Sequence, residues 1–157
     1  MDGGVLRFVD QTGMRTATRW YTPTIQPTLQ MRIAWITDPH LNHCALASWD
    51  RLIAQVHECR CDGLIISGDI SEGEDVVFQL RRIADVTRMP LYFVLGNHDF
   101  YHSSIARTRE AIRKAVAEHP LLNYLTDSEP ISIGGVALIG VDGWGDATVG
   151  DFERSTV

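Results

Sequence analysis

Three short apolar runs set the fold: "RIAWIT" at 32–37, "GLIIS" at 63–67 and "LYFVL" at 91–95. Each is strand-length and rich in the branched and aromatic side chains that fit a pleated surface. Between them the apolar residues change to helical spacing. Leu46, Trp49, Ile53 and Val56 form one stripe, widened by Leu52. Val76, Leu80, Ile83 and Ala84 form a second, with Ser71 as the expected cap near its start. A third helix is expected to open near Ser103 or Ser104, to turn Ile105, Ile112 and Val116 inward, and to end before Pro120. Three successive strand–helix units predict parallel strands, right-handed crossovers and the α/β class. With 157 residues the chain suffices for one domain with a core and is short for two.

Both ends break this rhythm. "ISIGGVALIGVDGW", 131–144, predicts two short strands joined at Gly134-Gly135, because two glycines accept the positive φ of a primed hairpin turn. Residues 1–30 contain Thr12, Thr16, Thr18, Thr22, Thr24, Thr28 and two prolines without periodicity. They are expected to be a poorly ordered extension, or sequence upstream of a start at Met31. Arg15 and Arg19 among the threonines resemble a transit peptide only faintly.

In open α/β sheets ligands bind beyond the carboxyl ends of the strands, and there the polar residues collect. The first run ends in "TDPH", giving Asp38 and His40; the second in "SGDI", giving Gly68 and Asp69; the third in "GNHD", giving Asn97, His98 and Asp99. Neighbouring strands lie about 4.8 Å apart, so the three loops can converge. Singly, each pattern reads as a turn or a cap. Their joint placement after successive strands is what points to a site. Oxygen and imidazole donors without thiolate suit Mn, Fe, Zn or Mg. Asp38 and His40, two apart in an extended stretch, are expected to point the same way and to reach one ion, and Asp69 can bridge two. Divalent ions would also relieve the repulsion that raises the pKa values of converging carboxylates.

"DPH" as D-x-H, "GD" and "GNHD", in this order, resemble the calcineurin-like metallophosphoesterases from Met31 to about Trp144. The resemblance implies an α/β sandwich and hydrolysis of a phosphomonoester or phosphodiester by a hydroxide activated between two divalent ions, manganese favoured. It implies Asp38, His40 and Asp69 as ligands of the first ion, and Asp69 and Asn97 as ligands of the second. Asn97 and His98 would meet substrate, His98 would act beside the leaving oxygen without ligating metal, and Asp99 would orient His98. The family's further elements, a single His and then a G-H-x-H segment, do not occur in the chain; His102 and His119, the later histidines, stand in other contexts. Residues 31–157 are therefore expected to be an incomplete domain that stops before the second sheet is whole. A non-catalytic scaffold of the same fold is the alternative that the missing histidines favour.

Partners follow from charge. A net charge of −6 does not favour nucleic acid, although Arg107, Arg109, Arg113 and Lys114 would be the basic rim of a nuclease. A solvated helix face explains them more simply. A small phosphoester is the expected partner, and no oligomeric state follows. No run approaches the ~20 apolar residues of a membrane span. Cys59 and Cys61 suit neither a zinc ribbon nor a redox pair, which leaves reduced thiols in a cytoplasmic protein as the expectation. Asp142, Trp144 and Asp146 after the last strand are candidates for lining the substrate pocket, though such loop residues are turn formers by default.

Overall fold

In the computed structural model of this chain the described residues are 31–143, with the backbone of 7–9 and 15–17 before them. The N-terminal segment, expected to be a poorly ordered extension, has two short antiparallel strands among its described residues, β1 (Arg7–Val9) and β2 (Arg15–Ala17).

The central sheet has four parallel strands: β3 (Ile33–Ile36), β4 (Gly63–Ser67), β5 (Leu91–Val94) and β6 (Leu122–Tyr124), in that spatial order. The helices α1 (Leu46–Glu58), α2 (Asp75–Thr87) and α3 (Ile105–Glu118) alternate with them. Strand order and chain order run together, so right-handed crossovers place all three helices on one face. That face is the core. Ala34, Leu64, Leu91 and Leu122 stand abreast, as do Ile36, Ile66, Phe93 and Tyr124, and both rows pack against Trp49, Ile53, Leu80, Ile83, Ile112 and Ala115. The opposite face has Trp35, Ile65 and Tyr92 in register. Trp35 is 70% exposed there, its indole NH donating to Ser67 Oγ at 2.9 Å. The hairpin β7 (Ile131–Ile133) and β8 (Val136–Leu138) turns on Gly134 and Gly135, both at positive φ, as the glycine pair predicts.

The α/β class and the parallel core are as expected, and four local readings need correction. A fourth strand, β6, joins the sheet. Leu46 and Ile105 are exposed, since each is the first residue of its helix and the buried stripe begins only later. Glu74 rather than Ser71 sits at the N-cap of α2; the Ser71 hydroxyl instead donates to Asp75 Oδ2 at 2.5 Å. Cys59 and Cys61 form a disulfide rather than two thiols. The left-handed backbone of Arg60 folds the chain back after α1 and brings the two Cα atoms to 5.4 Å, within disulfide range. Ser104 caps α3 through its hydroxyl, as expected. No helix among the described residues is long and apolar enough to cross a membrane.

Candidate metal centre

The three polar loops meet at the carboxyl edge of the sheet. Beyond β3 the chain keeps running beside the segment that follows β4. Asp38 N donates to Gly68 O at 3.3 Å, His40 N to Asp69 O at 3.1 Å and Leu41 N to Ile70 O at 2.8 Å. This ladder holds residues 38–41 against 68–70. It is not extended at the residues that matter: Asp38, His40 and Asp69 have φ of 49°, 40° and 51°. Left-handed backbone costs a non-glycine residue on the order of 1–2 kcal/mol. Such strain tends to sit at sites of function, and here it falls on three residues singled out as ligands.

The second and third loops touch through their glycines. Gly68, at φ +93°, would place a Cβ 2.8 Å from Gly96 N. A Cβ on Gly96 would fall 2.2 Å from Asp69 Oδ1. Only glycines allow "GD" and "GN" to lie back to back, and that closeness delivers Asp69 to His98. Asp69 Oδ1 accepts the His98 amide at 3.0 Å, while Oδ2 faces His40 Nε2 at 4.0 Å. The His40 and His98 rings meet edge to face with centroids 4.6 Å apart. His40, Asp69 and His98 thus offer ligand atoms that all lie within 4.8 Å of one another. Two imidazoles and a carboxylate fit the donor preference of a borderline divalent ion.

The other expected residues are placed less directly. Asp38 is exposed at the rim, and its carboxylate accepts the Thr37 hydroxyl. The expectation that Asp38 and His40 point together as in a strand fails because both are left-handed. Asn97 donates its side-chain nitrogen to Tyr101 Oη at 2.9 Å, which leaves its oxygen as the atom to offer. Asp99 is buried, and its carboxylate turns to backbone instead of the His98 ring. Oδ1 accepts the amides of Ile70 at 2.8 Å and Ser71 at 3.0 Å, and Oδ2 accepts Gly96 N at 2.8 Å. Burial pushes its pKa up to about 6 against the pull of those three amides.

Glu72 is the residue that sequence reasoning missed. Its Oε1 lies 3.8 Å from His98 Nδ1 and 3.5 Å from His43 Nε2, and its Oε2 lies 3.5 Å from His102 Nε2. Desolvation works to raise its pKa, but hydrogen bonding and charge from His43, with help from Asn42 and His102, hold it below the ordinary carboxylate value. It stands three residues after Asp69, a weak signal without the fold. His43 and His102 therefore gather at the rim around Glu72, and neither joins the His40–Asp69–His98 group.

Asp142 does not line an open pocket. Its carboxylate is 0% exposed and paired with Arg109 at 2.9 Å. Trp144 and Asp146 lie outside the described residues. The basic face of α3 is largely neutralised: Arg107 pairs with Glu74, Arg109 with Asp142, and Arg113 with Asp127 and Glu110. His119 closes α3 at its C-cap and meets Asp85 at 3.4 Å.

The family model for calcineurin-like phosphoesterase matches residues 31–152. No curated protein and no solved structure matches the chain.

Proposed function

The chain belongs to the calcineurin-like phosphoesterase family, and we propose on that premise that it hydrolyses a small phosphomonoester or phosphodiester with divalent metal, manganese favoured, at the edge of the sheet. The observation that carries this reading is the convergence of His40, Asp69 and His98 from three successive strand ends. In the proposed assignment Asp38, His40 and Asp69 hold one ion, and Asp69 and Asn97 hold a second. Bound divalent ions supply Lewis acidity toward phosphoryl oxygens and an acidified water.

The protein's own part is placement and proton transfer. Asp69 Oδ1 holds the His98 amide, so the carboxylate that would hold metal also ties the site to the loop that follows β5. His98 turns Nδ1 toward Glu72, which leaves Nε2 as the nitrogen to meet a leaving oxygen. In this reading Glu72, which faces the buried Nδ1 across 3.8 Å without a hydrogen bond, takes the place beside the ring that the family resemblance implied for Asp99. Neutralised arginines along α3 support a small substrate over a nucleic-acid strand.

Calorimetric titration of the metal-stripped protein with Mn²⁺, followed by assays on p-nitrophenyl phosphate and its bis ester, tests the proposal. A saturable isotherm is expected, weakened in Asp69→Asn by at least the ~10-fold that loss of an outer partner costs. A wild-type protein that takes up no ion, or an Asp69→Asn variant that binds as well, would overturn it.

A further inference from the structure

We propose that Asp142 is a positioning residue for this site, holding the Gly96–His98 loop, and with it Asn97 and His98, in working register. The proposal rests on the phosphoesterase reading above. Leu95 is the first residue past β5, where the parallel ladder has no further rung. Its amide is taken by Asp142 Oδ1 at 2.8 Å, and its carbonyl by the Gly143 amide at 3.2 Å. Residues 142–143 thus extend the pairing that β5 loses. Of the amides that follow, Gly96 N ends on Asp99 at 2.8 Å and His98 N on Asp69 at 3.0 Å. Three carboxylates therefore fix the course of four residues.

Asp142 differs from the other two in what it ties that loop to: Asp69 and Asp99 join it to the segment after β4, whereas Asp142 joins it to α3 and to β6 and the turn beyond. Arg109 donates to Oδ2 through Nε at 3.0 Å and Nη2 at 2.9 Å, the Thr126 hydroxyl donates to Oδ1 at 2.8 Å, and the Tyr124 hydroxyl also donates to Oδ2. Arg109 sits in α3, the helix into which the loop leads. One carboxylate so links the start of the loop to the helix at its end. Gly140 permits this arrangement, since a Cβ there would lie 2.6 Å from Val94 Cγ1 and 2.7 Å from Leu125 Cβ. With no exposed surface, the carboxylate cannot touch substrate. Its influence must pass through Leu95.

Asp142→Asn keeps the shape but turns one acceptor into a donor facing two of the four donor groups. Amide hydrogen exchange of the metal-free protein and Mn²⁺ calorimetry together read the consequence. Exchange at Gly96, Asn97 and His98 is expected to rise ~10-fold or more relative to Leu64 and Ile66 in β4, with Mn²⁺ affinity falling ~10-fold. Arg109→Lys, which keeps the charge and loses the fork, should do the same more weakly and serves where Asp142→Asn does not fold. Exchange that rises evenly through the sheet with Mn²⁺ affinity unchanged would mark Asp142 as merely structural and overturn the proposal. A wild-type protein that binds no Mn²⁺ overturns the phosphoesterase reading instead, and the local exchange rates then decide the hold on the loop by themselves.

Discussion

Asp99 and His98 are adjacent in sequence and answer to different physics. Asp99 is a buried carboxylate with three amide donors, and desolvation still leaves its pKa at about 6. A raised acid pKa means that folding disfavours the charged form. Stability from this group is therefore greatest below the unfolded value near 4, falls as pH rises from about 4 to about 6, and is level above that. The full change is about 3 kcal/mol. Asp99→Asn removes the titration and sets an amide NH₂ against a backbone NH, so the variant is less stable at every pH. Urea unfolding of both proteins from pH 4 to 7 should show the wild-type advantage shrinking with pH; an advantage that is flat or grows would remove the raised pKa. For His98 the question is ligand or acid, because its ring lies within the same group as His40 and Asp69. His98→Ala should lower turnover by ~10²–10⁴ if the ring moves a proton, with Mn²⁺ affinity largely kept. Affinity lost in proportion to turnover would make it a ligand.

The elements meet through glycine where side chains would not fit. Gly96→Ala sends a methyl into Asp69 Oδ1 and so must move either the carboxylate or the loop after β5. A loss of more than ~3 kcal/mol in stability is expected, since a fixed backbone and a buried charge both oppose relief, together with loss of Mn²⁺ binding. Gly143→Ala is the control, with nothing within 4 Å of its Cβ, and should change stability by less than ~0.5 kcal/mol. Equal effects of the two would mean that the contact between the "GD" and "GN" loops is not what fixes the site. At this scale β3, β4, β5 and the three helices were readable because each is long enough to show a period. β6 was not: Leu122-Asn123-Tyr124, between Pro120 and the turn at Leu125–Asp127, alternates over three residues only, too few to establish a period. The hairpin was readable from Gly134-Gly135 alone, because there turn chemistry rather than burial decides.

Across the molecule, function is set by which strand ends lie side by side, and the sequence carries that much. Asp69, His40 and His98 could be named because each follows a strand that the apolar pattern marks. Glu72 could not, and Asp142 was legible only as a candidate pocket residue, not as a buried tie. Their partners come from other loops and from segments tens of residues away, and a lone acid in a turn has no period to betray it. Left-handed backbone at Asp38 and His40 was equally hidden, since "DPH" reads as extended. The gathered donors have one consequence that needs no substrate. An ion that binds only the folded chain stabilises it by about 2.7 kcal/mol at a hundred times its dissociation constant. At roughly 2–4 °C per kcal/mol for a chain of this size, Mn²⁺ should raise Tm by about 5–10 °C, and EDTA should reverse the rise. Asp69→Asn should abolish it, because Asp69 is shared by both proposed ions. A shift that survives in Asp69→Asn would put the ion elsewhere, with the histidines around Glu72 the next place to look. No shift in the wild-type protein would leave the chain with the family's fold and without its metal chemistry.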